Sequence, residues 1–448
     1  MSTVLLVSTN ALTEPFPVFP LGMATVAAIL ARAGHEVRQW DLLAAGGAEQ
    51  AHRDLAEVLR DFRPDVVGFS LRNIDTADST AERNAWWELV RSLVDLARNE
   101  FGAFTLLGGP AFSLLPEDIL TALGAHCGVK GEAEGVLPRL MAQLEAGEEP
   151  SGVWQNEGLA EPQSVPAPLA EPALLAHYAA ESGVLNVQTK RGCPHHCGYC
   201  SYPLLEGRRV RPLDPEAAAE HMARLHHDYP GAELYVTDSI FNDQGGEYLA
   251  LAEILARLPS PPPWSALFRP QGMDRDALRL LKRAGLRAME LGTDAATDQT
   301  MAGLHKRFTF SEVLAFHQLC TAEDLPVAHF IIFGGPGETM DTVREGLANI
   351  KRLTRSAVFA YAGIRILPHT AVHRLALEQG VIAANDPLLD PRFYFSPHIA
   401  PAEMGEVIAQ DFRRDRSRVF PPSDGEMRSK AMRSFGFRGL LWDRLIRA

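Results

Sequence analysis

The stretch Leu185–Pro203, LNVQTKRGCPHHCGYCSYP, runs from a short alternating apolar and polar segment straight into a loop that holds Cys193, Cys197 and Cys200. The chain has five cysteines, so most of its thiols fall within eight positions, spaced C-x3-C-x2-C. A structural zinc site presents four nitrogen or sulfur ligands, often as paired knuckles. His195 and His196 nominally extend the set, yet no second C-x2-C pair occurs. Three thiolates on one short loop also suit three irons of a 4Fe-4S cube, whose usual complement is four cysteines, and they leave the fourth iron open.

Working outward, the segment before the cysteines is the first of a βα series. LNVQTK, ELYVTD, PPWSALF, RAMELGT, PVAHFIIFGGPGE and FAYAGIRILP alternate with helical stretches such as Pro215–His227 and Asp274–Ala284. Six such units predict a partial or complete (β/α) barrel, whose functional loops follow the strand C-termini. The cysteines come directly after the first strand. Upstream, strands at Val4–Val7, Glu36–Trp40, Asp65–Ser70, FTLLGG and CGVKGEAE are separated by helices at Gly22–Ala33, Gln50–Phe62 and Ala81–Glu100. Five strands in that rhythm predict an α/β, doubly wound, flavodoxin-like domain. Prolines recur over Asn156–Pro172 and read as a linker. The expected organisation is a Rossmann-like domain over 1–150, a linker over 151–180, a (β/α)6 partial TIM barrel over 181–395 and a C-terminal helical extension over 396–448.

Composition narrows the function. A net charge of -13 argues against a nucleic-acid partner, because phosphate binding needs a concentrated basic field. An odd number of cysteines, mostly clustered, suits a reducing compartment, so a cytoplasmic location is expected. No run approaches the roughly 18 apolar residues of a transmembrane segment. The basic, amphipathic end RSFGFRGLLWDRLIRA reads as a terminal helix packed on the barrel, with a membrane surface as the alternative.

The cysteine spacing, with Tyr199 just before the last thiol, resembles the signature of the radical S-adenosylmethionine (radical SAM) superfamily. The resemblance implies a 4Fe-4S cluster on Cys193, Cys197 and Cys200 whose open iron chelates S-adenosyl-L-methionine. Later segments agree. YVTDSIFND offers Asp238 and Asn242 for the cofactor's amino group, and ELGTDAAT offers Glu290, Gly292 and Asp294 for its ribose, with Asp where the family more often has Glu. FGGPGET supplies the turn Gly335, Pro336 and Gly337. His305 and Lys306 of GLHKRFT also match a stretch usual in the superfamily, without an assigned role.

The first domain has no G-x-G-x-x-G after its first strand, which removes a dinucleotide reading. It resembles the cobalamin-binding domain fused ahead of many radical SAM barrels. The resemblance assigns Asn10, Leu21, Gly22, Ser70, Leu71, Arg72, Asn73, Gly108, Gly109, Pro110, Gly131, Glu132 and Glu134 to the corrin. DLLAAGG lacks the histidine of D-x-H-x-x-G domains, so the resemblance implies a cobalt without a protein histidine beneath it. Arg72 is a candidate for that face, with an ion pair to Asp75 as the alternative. Over nearly its whole length the chain resembles a cobalamin-dependent radical SAM enzyme. The commonest chemistry of that family is methylation of a small-molecule, lipid or natural-product carbon. Ring contraction, cyclisation, or a vestigial cobalamin domain are the alternatives. An electron donor such as flavodoxin or ferredoxin is the implied protein partner.

Overall fold

Runs of Val, Leu and Ile too short for helices and apolar on both faces can be buried only between helical layers. The computed structural model describes residues 1–13, 16–75, 78–80, 86–156, 158–161 and 165–446. In it, β1 (Thr3–Ser8), β2 (Glu36–Asp41), β3 (Val66–Ser70), β4 (Phe104–Gly108), β5 (Cys127–Lys130) and β6 (Gly152–Gln155) form one parallel sheet in the order β2-β1-β3-β4-β5-β6. The first five strands follow the flavodoxin order. The sixth is an addition: residues expected in the linker pair with β5, Cys127 opposite Gly152. Four residues of edge strand beside a proline-rich stretch carry no usable period. The helix expected over Ala81–Glu100 runs Trp86–Asp95 and ends in a π-wound turn, Leu96–Glu100, while 81–85 lie outside the described residues.

The second sheet is also parallel. Its strands are Val184–Val187, Glu233–Val236, Trp264–Phe268, Leu286–Asp294, Val327–Phe333 and Ser356–Ala362, neighbouring one another in chain order as a partial barrel. A seventh, Arg418–Val419, is added beside the sixth. Arg418 holds it there by donating to Ser356 O at 2.9 Å and Leu353 O at 2.7 Å. Most of the crossover helices begin at side-chain caps, Asp214, Asp274, Thr309 and Thr339 among them.

The strands alternate in a telling way. Outward residues such as Val236, Leu291, Ile331 and Ala360 are buried, whereas inward Tyr235, Glu290, Phe330, Ile332, Phe359 and Tyr361 retain partial accessibility. Surface that is accessible from inside a barrel marks a hollow lumen.

The 396–448 region is more than a helical extension. After helices Pro401–Phe412 and Pro422–Ser434 the chain closes the base of the barrel. Gly439 N donates to Ser182 O at 2.9 Å, and Leu440 and Trp442 are buried with Val184, Ala288 and Ala328. Phe16, from the loop after β1, joins the same cluster. Segment Asp390–His398 lies at the opposite end: Phe393–Tyr394 pairs with Ile364–Arg365 after the sixth strand.

The two sheets share a core, since Leu5, Phe69 and Leu107 belong to one apolar cluster with Ile331, Phe333 and Ala360. The stretch read as a linker lies along the first domain. Gln39 N donates to Glu171 at 2.8 Å and Leu169 N to Ala24 O at 2.9 Å, while 157 and 162–164 lie outside the described residues. Among the described residues no helix is long and apolar enough to cross a membrane.

Candidate active site between the two domains

The cysteine loop leaves the first barrel strand through Thr189 and Lys190, and both are fixed by the second strand. Asp238 accepts from Thr189 N at 2.7 Å, Lys190 N at 3.1 Å and the Thr189 hydroxyl. The buried Lys190 ammonium pairs with Asp243 at 2.6 Å. Gly192, at φ +88°, lets the loop press on Arg209, whose carbonyl would lie 2.1 Å from any Cβ there. Gly198 is clamped from two sides, donating to Leu304 O and accepting from Val372 N, each at 2.9 Å.

Burial raises the thiols of Cys193 and Cys200, the latter to about 12, and the two sulfurs and Cys197 feel one another's charge. Yet no three His, Cys, Asp or Glu among the described residues gather as one ion would require. His196 is turned out to Arg208 at 2.6 Å, away from a zinc set. Three thiols on one loop that feel one another's charge suit three corners of an iron-sulfur cube.

Beside the loop stands a lysine whose motif match carried no assigned role. Lys306 forms a buried ion pair with Asp294, contacts the Cys197 thiol and lies 5.8 Å from the Tyr199 ring. Asp294 sits in the left-handed region at φ +61°, which aims its carboxylate at Lys306 and at the Tyr199 hydroxyl. Lys306 also reaches the carbonyl of Gly292 at 3.4 Å. The Gly335-Pro336-Gly337 turn is held by Glu338, whose carboxyl accepts from Gly334 N and from Gly335 N at 3.2 Å and is pushed up to about 7 by burial.

Three residues expected at the S-adenosylmethionine site have other employment, the first being Asp238, whose two oxygens accept from Thr189 and Lys190. Asn242 spends its amide on the loop after the third barrel strand, donating to Arg269 O and Gln271 O and accepting from Arg269 N. Glu290 lies in mid-strand, below Gly292 and Asp294, where it accepts from Tyr235 and Trp442.

The corrin candidates sit at the C-terminal ends of the first sheet's strands: Asn10 after β1, Ser70 to Asn73 after β3, Gly108 to Pro110 after β4, Gly131 after β5. Leu21 and Gly22 open the helix after β1. Open α/β sheets bind ligands outside these ends. Gly109, at φ +98°, would place a Cβ 2.5 Å from Leu71 O, so β3 and β4 meet there as bare backbone. Glu132 and Glu134 turn away from this shelf to the barrel, pairing with Arg211 at 2.5 Å and Arg191 at 2.8 Å. Asp75 pairs with Arg365 at 2.7 Å, in place of the Arg72–Asp75 pair that was the alternative reading of Arg72.

Arg72 instead neighbours Tyr202 of the cysteine loop and Tyr178. Tyr202 keeps 49% of its surface accessible, yet burial disfavours its charged form, as it does that of Arg72. Both side chains are therefore accessible while standing among protein atoms of the two domains. Helix Pro110–Leu114 packs on helix Tyr202–Leu205, so the glycine shelf and the cysteine loop lie side by side.

The profile of the B12 binding domain matches residues 8–141, and that of the radical SAM superfamily residues 187–348. The chain belongs to the cobalamin-dependent radical SAM enzymes. It is similar to an uncharacterized methyltransferase of Pyrococcus horikoshii, 24% identical, with 85% of each chain covered. The tryptophan 2-C-methyltransferase of Streptomyces laurentii is 23% identical over 84% of this chain and 75% of its own. The hopanoid C-3 methylase of Methylococcus capsulatus is 27% identical over 65% and 56%. In fold it resembles the radical S-adenosylmethionine methyltransferase TsrM of Kitasatospora setae, solved with cobalamin and a 4Fe-4S cluster. The TM-score is 0.85 at 21% identity, covering 99% of this chain and 97% of TsrM.

Proposed function

We propose that the protein transfers a methyl group from S-adenosylmethionine, by way of cobalamin, to a carbon of a small-molecule, lipid or natural-product substrate. The observation that carries this reading is that the corrin shelf and the cysteine loop lie side by side, Arg72 next to Tyr202 and helix Pro110–Leu114 on helix Tyr202–Leu205. The named methyltransferases among its relatives support the same outcome.

When bound, the cluster supplies the electron that cleaves S-adenosylmethionine, and cobalamin carries the methyl group. The chain's own residues do the rest. Cys193, Cys197 and Cys200 would hold three irons, and Lys306 balances the charge of their thiolates. Asp294, Gly292 and the Gly335–Gly337 turn would seat the nucleoside and methionine portions, with Tyr199 packed between the loop and Asp294. Gly108, Gly109 and Gly131 let the corrin lie against backbone, where Arg72 offers a cation but no electron pair. An external one-electron donor of the flavodoxin or ferredoxin type would reduce the cluster.

Anaerobically purified protein supplied with methyl-labelled S-adenosylmethionine and a reductant tests this. Label should pass first to the corrin and then to an acceptor in extracts of the source cells. Formation of 5'-deoxyadenosine with no label ever reaching the corrin would replace methylation with a radical rearrangement.

A further inference from the structure

The C-terminal segment covers the barrel with one face and leaves the other bare. Helix Pro422–Ser434 is seated on the added strand through Gly425, where a Cβ would lie 2.9 Å from Val419. Its opposite face presents Met427, Ala431 and Phe435 at i, i+4 and i+8, one apolar stripe. All three are exposed, Met427 by 65% and Phe435 by 82%, and no other phenylalanine among the described residues is as accessible. The turn that follows is tied down at both ends. Gly436 N, at φ +85°, donates to Arg433 O at 2.9 Å and Phe437 N to Met432 O at 3.1 Å, which closes the helix in a Schellman turn. Arg438 then donates to Ala180 O at 2.7 Å, and Gly439 N to Ser182 O at 2.9 Å. Phe437, 41% accessible, is displayed on that turn two residues from Phe435.

The charge around these side chains is of one sign. From Met427 to Trp442 the chain carries Arg428, Lys430, Arg433 and Arg438 and no carboxylate, in a protein of net charge -13. Arg444 adds a cation 4.4 Å from the Phe437 ring. Lys430, Arg438 and Arg444 form no ion pair among the described residues. Glu233, a carboxylate that feels Arg444, is turned to Leu440 N at 3.4 Å.

We infer that this face attaches the protein to an anionic lipid surface, with Met427, Phe435 and Phe437 entering the acyl boundary and the surrounding cations meeting headgroup phosphates. Two needs are met at once. Apolar tips call for a layer without water, and cations without partners call for negative charge just outside it, which is the order of layers in an anionic bilayer. A polynucleotide would meet the cations but leave Met427 and Ala431 in water. A second copy of the chain would set like charge against like. The attachment is peripheral, since no helix among the described residues is long and apolar enough to cross a membrane.

Holoenzyme is sedimented with sucrose-loaded vesicles of phosphatidylcholine alone, or of phosphatidylcholine with about a third phosphatidylglycerol. The anionic vesicles should bind roughly ten-fold or more tighter, and the preference should shrink as salt is raised. Replacing both rings, Phe435→Ser with Phe437→Ser, should weaken binding to the anionic vesicles roughly ten-fold. Lys430→Glu should weaken it roughly five-fold or more, whereas Lys430→Arg should keep it. These side chains are exposed, and iron content with corrin absorbance reports folding in each variant. Equal binding to both kinds of vesicle, no saturable binding to either, or binding that survives the double substitution would each overturn the inference. Retention of single-stranded DNA or polyglutamate without retention of vesicles would assign the face to another polyanion and overturn it as well. Vesicle binding is read without turnover, so it stands or falls apart from methyl transfer.

Discussion

The two sheets prepare their C-terminal edges by opposite means. At the first, the surface is backbone: Gly108, Gly109 and Gly131 clear a shelf, and the nearby carboxylates of Glu132 and Glu134 are drawn off to the barrel. At the second, the surface is charge, with Lys190–Asp243 and Lys306–Asp294 buried as ion pairs around the cysteine loop. A large rigid ring needs clearance and shape. A cluster with several thiolates and a zwitterionic cofactor need fixed charges in a space of low polarity. The contrast says that substitutions which add volume should harm the first edge most, and substitutions which remove charge the second.

The largest effect should come from Cys200→Ala, which leaves the cube two protein corners. Iron should fall from about four per chain towards zero with cleavage of S-adenosylmethionine abolished, while corrin absorbance persists, as metal analysis and visible spectra would show. Next is Lys306→Met. Removing one partner of a buried pair leaves Asp294 uncompensated, and denaturant melts should record a loss of about 3–5 kcal/mol with little change in corrin retention.

Glu338 gives a milder test through pH. Its folded value, about 7, lies above the ordinary 4.5, so the folded protein holds this proton after the unfolded chain has released it. Stability should therefore be complete below pH 4.5 and fall as pH rises towards 7, by on the order of 3 kcal/mol. Glu338→Gln keeps an acceptor for the turn and should flatten that slope in melts run across the window. The smallest is Gly109→Ala. A Cβ against Leu71 O at a positive φ should cost about 1–3 kcal/mol. If clearance governs the first edge, corrin retention drops while iron content does not, and equal losses of both would erase the contrast.

Much of this was legible in the sequence, for reasons that can be named. The cysteine spacing and the β-branched runs are local signals, and they located the cluster loop, both sheets and the strand ends. What was not legible depends on partners far along the chain. Glu132 and Glu134 read as shelf residues because Arg191 and Arg211 lie more than fifty positions away. Asn242 sits at the barrel mouth, but its amide belongs to the backbone at Arg269 and Gln271. Glu290 shares the segment ELGTDAAT with Gly292 and Asp294, but it lies four residues before the end of a strand that runs to Asp294 and so falls in its middle. Lys306 carried a motif match, and only the fold sets it between Asp294 and Cys197. Strand β6 was hidden by its own brevity.

Phe16 deserves a last consequence. A ring from the loop after β1 is lodged among barrel residues, and aliphatic side chains of both sheets form one continuous interior. Heating should therefore give a single calorimetric endotherm in place of two, because neither half keeps a complete interior without the other. A protease that nicked the proline-rich connection should likewise yield two fragments that still co-elute as one particle.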